Sequence, residues 1–354
     1  FYSLTLNQGV EGSNPSSRTE DAVFGGSRGW HFFLYIFIMN SERQYMIINT
    51  GNRTDIPAFF SEWFYNRIKE GFVLVRNPYH PEQITRYRLD PSVVDCLCFC
   101  TKNPEPMLER ISELDDFRQL WYVTITPYGR DIEPFVPEYS KVIRSFQKLS
   151  QKKGKERVIW RYDPIFMTEK YDLQFHLEVF HEMAEKLKGY TKRCVISFID
   201  LYEKTRRNFP QAERVMEKDR LEIGKAFVRI GEENGIRIMT CCEGNELEPY
   251  GADCGGCMTQ EVIEEAIGEY LKVPAQKKNI REGCRCLLGA DIGVYNTCGH
   301  GCLYCYANYD RESVEFNRKY HDRRSPLLIG HLNRGEIVKE ARQESYVDYQ
   351  LRLF

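Results

Sequence analysis

The chain has 354 residues, 42% of them hydrophobic and 28% charged, with a formal net charge of −2. That is globular composition, long enough for one large domain or two ordinary ones. A sequence pI near 6.5 excludes a generic basic nucleic-acid coat and leaves only a local basic groove for such a partner. A mean hydropathy of −0.51 argues against a membrane protein, as does the lack of any apolar run near ~20 residues. Thirteen cysteines, an odd count with no secretion signal, point to metal or redox chemistry in a reducing compartment, the cytoplasm, rather than to a disulfide scaffold.

Residues 7–18 form a polar stretch without periodicity, too poor in apolar surface to order itself, and resemble the translated end of a tRNA gene. The apolar patch at residues 30–39 is too short to span a membrane and lacks the flanks of a signal peptide. The expectation is a native start at Met39 or Met46, with residues 1–38 a non-native or disordered leader. Residues 45–49 then read as a short buried strand that runs into a turn over 50–57. Helical spacing follows through Phe60, Trp63, Phe64 and Ile68, with Gly71 suited to end it. Residues 72–76 and 84–89 read as extended. Buried strands are predicted at 93–99, 120–125, 157–160, 194–199 and 236–239. Helices are predicted near 106–114, 138–151, 171–187 and 215–234.

About six apolar strands alternating with helices predict a parallel sheet with helices outside it. Each strand ends in polar or reactive residues: Arg53 and Asp55, Lys102 and Asn103, Thr126 and Tyr128, Arg161 and Asp163, Asp200 and Tyr202, Cys242. Working sites lie at such strand ends. The fold expected is α/β, a full or partial TIM-like (β/α) barrel over residues 44–240. An open doubly wound sheet is the alternative, though neither a G-x-G-x-x-G nor a P-loop lysine motif is present. Residues 241–310 are read as a cysteine-rich segment completing the barrel, and 311–354 as a C-terminal tail.

The sharpest motif is Cys298-Gly-His-Gly-Cys302-Leu-Tyr-Cys305, a C-x3-C-x2-C spacing with Tyr304 just before the last cysteine. Three thiolates on one tight loop can hold three irons of a [4Fe–4S] cluster. The fourth iron then keeps an open position, as catalytic metals do. A zinc knuckle that recruits His300 is the plainer alternative. The segment resembles the signature of radical S-adenosylmethionine enzymes. In that superfamily S-adenosylmethionine chelates the open iron, and an electron from the cluster cleaves its sulfonium bond. The resulting 5′-deoxyadenosyl radical abstracts hydrogen from substrate. The resemblance implies an oxygen-sensitive enzyme with an electron donor such as flavodoxin or ferredoxin, and Tyr304 as a cofactor contact.

In most of that superfamily the motif follows the first barrel strand, whereas here it follows all six. Asp291-Ile-Gly-Val-Tyr295 is therefore expected to be the strand that feeds the loop, giving a circularly permuted barrel. Arg53 and Asp55 would then end the next strand, where relatives contact the methionine amino group. Their plainer roles are helix capping and a surface ion pair. Several segments resemble one family in particular: Arg53-Thr-Asp-Ile-Pro-Ala-Phe59, Thr101-Lys-Asn-Pro104, Thr124-Ile-Thr-Pro-Tyr128, Trp160-Arg-Tyr-Asp-Pro164 and the run from Asp291 to Cys298. So do Ser325-Pro-Leu-Leu-Ile-Gly330 and the terminal Leu351-Arg-Leu-Phe354. They look like the bacterial family named domain of unknown function 1848, from about residue 46 to the end. That family is described as carrying radical-SAM-like cysteines at its C-terminus. Residues 298–307 are also similar to the spore photoproduct lyase group, which implies a narrower alternative, DNA or RNA repair or modification. A zinc or iron–sulfur binding protein without radical chemistry is the alternative from another class.

A second set of cysteines precedes the motif. Cys242, Cys257, Cys284 and Cys286 are the expected ligands of a second site, with Cys254 as substitute. An auxiliary iron–sulfur cluster, structural zinc and unligated thiols all remain open. Cys96, Cys98 and Cys100 share one strand face and are expected to pack as small hydrophobes. Arg161 and Asp163 either bind substrate or cofactor or pair with each other, and Lys102 and Asn103 stand likewise. His176 and His181 are expected on the surface. The run from Gln151 to Arg157 is expected to be a solvated helix end, a nucleic-acid contact being the alternative.

Overall fold

The alternation of apolar strands and amphipathic helices produces a mixed α/β fold around a seven-stranded parallel sheet. The computed structural model describes residues 46–201, 203–274, 284–287 and 289–350. The expected leader at 1–38, Tyr202 and the terminal Leu351 to Phe354 lie outside these. The described residues belong to one compact unit that begins at Gln44.

The strands of the large sheet are β1 (Ile47–Asn49), β4 (Cys96–Thr101), β5 (Gln119–Thr124), β6 (Val158–Ile165), β7 (Arg193–Phe198), β8 (Arg237–Thr240) and β9 (Ala290–Asp291). Their spatial order is β8-β7-β6-β5-β4-β1-β9. The last strand of this sheet in sequence thus lies beside its first, with Ile48 opposite Ala290 and Asn49 opposite Asp291. The strand expected over 291–295 is this shorter pair. Gly289 leads into it, and a Cβ there would stand 1.9 Å from the Ile47 carbonyl oxygen, so only glycine lets the backbones meet. Among the described residues no pairing joins the edges β8 and β9, so what the fold shows is a mixed α/β parallel sheet rather than a closed barrel.

The residues 72–76 and 84–89 read as extended are β2 (Phe72–Arg76) and β3 (Gln83–Arg88), an antiparallel pair; β10 (Ile337–Glu340) adds to β3 in parallel. The helices are α1 (Ile56–Phe59), α2 (Ser61–Glu70), α3 (Glu105–Leu108), α4 (Tyr139–Lys153), α5 (Leu173–Leu187), α6 (Glu203–Asn208), α7 (Glu217–Asn234), α8 (Gln260–Ile267) and α9 (Arg311–Lys319). Among the described residues no helix is long and apolar enough to cross a membrane.

Period-two alternation buries both faces of the sheet. One face sends Phe99, Trp121 and Trp160 towards the long helices, where Trp160 stacks on Phe180 and Phe180 on Phe227. The other face carries Cys96, Cys98, Leu120, Tyr122, Val195 and Met239, and α8 packs over it with Ile263 and Ile267. Cys96 and Cys98 are fully buried in this second layer.

His176 corrects an expectation: it is 0% exposed rather than at the surface. It lies on the face of α5 that also buries Phe180, Met183 and Leu187, the i+4, i+7 and i+11 positions. His181 is exposed and pairs with Glu185. The His176 Nε2 donates to the Phe166 carbonyl at 2.8 Å, so Nδ1 accepts from the Tyr162 hydroxyl, also 2.8 Å away. Burial pushes its pKa below the usual histidine value. Below about pH 6.5 the unfolded chain therefore binds a proton that the folded chain refuses, and stability falls as pH drops. Between pH 7.5 and 5.5 the urea midpoint of the wild type should fall more than that of His176→Gln. The extra slope should not exceed ~1.4 kcal/mol per pH unit. Parallel curves would contradict this assignment. The run from Gln151 to Arg157, which begins in the last turn of α4, also differs from expectation at Lys153, which is buried and hydrogen-bonded to Asp115 and the Ile111 carbonyl.

Candidate functional site

A cavity of about 460 Å³ opens at the carboxyl ends of the parallel strands, within the size range of ligand sites. The turn after β1 lines it, together with Lys102 after β4, Thr124 of β5, Arg161 of β6, Ser197 of β7 and Cys241 after β8. The loop that follows β9 forms the remaining wall and brings Cys298, Cys302 and Cys305 to it. Gly301 lets this loop turn: its φ is +68°, and a Cβ would stand 3.1 Å from the Phe135 ring. The Cys305 amide donates to the Cys302 carbonyl at 3.1 Å, and the Asn308 side chain holds the Cys298 carbonyl at 2.8 Å. Burial raises the pKa of all three thiols, and their charges bear on one another.

Asp55 ties this loop to the strand ends. Its Oδ1 accepts from the Ala58 amide at 3.0 Å and so caps α1. Its Oδ2 accepts from the Lys102 amide at 2.8 Å and from the His300 Nε2 at 2.8 Å. Asp55 lines the cavity, but its carboxylate is already committed. Arg53, expected as a cofactor contact, instead lies 3.7 Å from Asp291 and 5.7 Å from the Tyr295 ring, and is not among the lining residues. The Asp291 carboxylate is occupied too, by the Asn52 and Gly293 amides.

Lys102 belongs to a buried network that the sequence reading only partly anticipated. Its ammonium donates to Glu133 at 2.8 Å and to Thr126 at 3.0 Å. The Tyr304 hydroxyl also donates to Glu133, so this expected cofactor contact lines the cavity with its polar end engaged. Burial works against the charge of Lys102, yet Glu133 and Cys302 beside it outweigh that and raise its pKa. Glu133 escaped the sequence reading. The available signal was a lone carboxylate between Ile132 and Pro134, in a position now 2% exposed. Arg161 and Asp163 pair with each other and both line the cavity. Among the described residues the buried Arg161 Nε has no hydrogen-bond partner.

A family model, the domain of unknown function 1848, matches residues 47–307. The chain belongs to this family. The match takes in the sheet, the cavity and the whole C-x3-C-x2-C loop of this DUF1848 member. No curated protein matches it in sequence. Among solved structures, an endocellulase from Pyrococcus horikoshii in complex with cellotetraose is similar at 14% identity and a TM-score of 0.25. A hyperthermostable endocellulase is similar at 14% and 0.24. Each comparison covers 48% of the DUF1848 chain and 57% of the endocellulase, too slight a likeness to bear on fold or activity.

The second cysteine set lies on the α8 side of the sheet. The Cys257 Sγ stands 3.4 Å from both the Cys241 Sγ and the Cys286 Sγ, and Cys284 hydrogen-bonds to Cys286. The hydrogen bond from Cys257 pushes the Cys286 pKa down to about 6, against burial. Cys241 takes the place beside Cys257 that the sequence reading gave to Cys242. Along β8 the alternation that sends Met239 to this layer sends Cys241 there too, while Cys242 turns through a left-handed backbone with φ 59°. Cys254, the expected substitute, packs against the other apolar cluster. Among the described residues no group of three or more His, Cys, Asp or Glu side chains stands in place to hold a metal ion.

Proposed function

We propose that the chain is a radical S-adenosylmethionine enzyme whose loop cysteines Cys298, Cys302 and Cys305 hold one [4Fe–4S] cluster. One observation carries this: the three thiols of a single C-x3-C-x2-C loop line one cavity at the strand ends, among residues able to meet a polar ligand. The donor set fits, because it is all sulfur on one loop and numbers three, which leaves one iron for a ligand from the cavity. Such a cluster with S-adenosylmethionine supplies reductive cleavage of a carbon–sulfur bond and a carbon radical that takes hydrogen from substrate.

The chain's own residues supply position and charge. The Lys102 ammonium, kept charged by Glu133, offsets negative charge gathered at the Cys302 sulfur. Asp55, through His300, holds the loop at a set height above the strand ends. Arg161 and Asp163 present a cation and an anion side by side to a zwitterionic ligand, with the Arg161 Nε as a further donor. The arrangement of strands supports the finer reading of the fold, a partial (β/α) barrel in permuted order with β9 as its first strand. Electrons come from a carrier such as flavodoxin or ferredoxin, and the setting is a reducing one, the cytoplasm.

The full chain, purified and reconstituted without oxygen, should carry about four irons and four sulfides per chain on this loop. Both should be lost together in Cys298→Ala. Zinc at the loop in the place of iron and sulfide would overturn the proposal and leave a metal-stapled binding protein.

A further inference from the structure

We propose that Cys241, Cys257, Cys284 and Cys286 hold a single thiophilic divalent ion, zinc by its chemistry, on the face of the sheet covered by α8. This site does not rest on the radical chemistry proposed for the loop. Three stretches of chain far apart in sequence meet there: the end of β8, the turn before α8, and the segment that leads to β9. Each brings sulfur. The Cys257 Sγ is 3.4 Å from the Cys241 and Cys286 sulfurs, and Cys284 is hydrogen-bonded to Cys286.

These spacings suit a single tetrahedral ion better than a four-iron cube. A tetrahedral zinc with Zn–S bonds of about 2.3 Å sets its sulfurs about 3.8 Å apart, so Cys257 needs to part from Cys241 and Cys286 by only a few tenths of an ångström. The cysteines of an iron–sulfur cube bind four different irons and stand much further from one another. An all-sulfur donor set also selects a soft ion over magnesium or calcium.

The surroundings suit a bound ion. The Tyr122 hydroxyl donates to the Cys257 carbonyl at 2.6 Å and fixes that turn. Met239, Met258 and Leu287 supply an apolar wall. The Arg161 guanidinium lies within electrostatic reach of Cys241 and Cys257 and offsets the net negative charge of a four-thiolate site. Cys241 also lines the cavity at the strand ends. The ion would therefore pin one wall of that cavity and clamp α8 to the sheet.

The test is a metal count on the full chain, purified without chelator, by mass spectrometry. The expected result is about one zinc per chain that persists in Cys302→Ala and is lost in Cys257→Ser and Cys286→Ser. Because those variants also disturb buried packing, the wild-type chain should be loaded with cobalt as well. A tetrahedral thiolate site then gives intense thiolate-to-cobalt charge-transfer absorption. Iron and sulfide lost in Cys257→Ser would overturn the proposal in favour of a second cluster. A Cys257–Cys286 disulfide, or four freely alkylated thiols with no metal and no cobalt spectrum, would overturn it too. Failure of the radical chemistry with zinc retained would leave it standing.

Discussion

Replacing Cys302 by alanine should strip the loop of iron and abolish cleavage of S-adenosylmethionine. Cys302 is the middle thiol of the three, part-buried beside Lys102, and the charges of Cys298 and Cys305 act on it. With two thiolates left, two irons of a cube lack a protein ligand, and iron content should fall from about four per chain to well below one. 5′-Deoxyadenosine formed under reducing conditions should fall to background. Cys194→Ala is the matched control. Cys194 is fully buried in the other apolar layer, so its loss should cost stability and leave iron and cleavage in place. Equal loss in both variants would show that the effect is one of folding, and retention of cleavage in Cys302→Ala would contradict the assignment of the loop.

Asp55→Ala should have the largest effect on stability among the residues of the site. The carboxylate is 6% exposed and accepts from three donors, the Ala58 amide, the Lys102 amide and the His300 ring. A buried donor left without a partner costs about 1–3 kcal/mol, and loss of an N-cap costs about 1 kcal/mol. These terms overlap, and a net loss of about 3–5 kcal/mol is expected from urea unfolding of the metal-free chain. His300 sits inside the cysteine loop, so the same variant should also lose its iron faster on exposure to a chelator. A change below about 1 kcal/mol with unaltered iron release would mean that Asp55 does not tether the loop.

The sequence made the alternation of strands and helices legible, because apolar strand runs such as Leu97 to Phe99 and Leu120 to Val123 are buried on both faces. The same period of two would have picked Cys241 over Cys242, since Met239 already marks the face. What pattern alone leaves open depends on long-range geometry. Closure of a sheet is set by strand tilt and stagger, which no local run encodes. The strand β10 is exposed along its whole length and is held by pairing with β3, so it carries no apolar signal. His176 was misplaced because a histidine on a helix reads as polar, while its face is defined by Phe180 and Leu187 further along. At the site, the cysteine spacing was plain from the chain. The engagement of Asp55 by His300 and of Tyr304 by Glu133 joins residues distant in sequence and appears only in the fold.

The proposed function requires a ligand from the cavity to bind directly to iron held by the loop. The most direct test is the electron paramagnetic resonance spectrum of the reduced, reconstituted chain with and without S-adenosylmethionine. A [4Fe–4S] signal that shifts on adding S-adenosylmethionine, and is missing in Cys302→Ala, is the expected result. A cluster signal unchanged by saturating S-adenosylmethionine would contradict it.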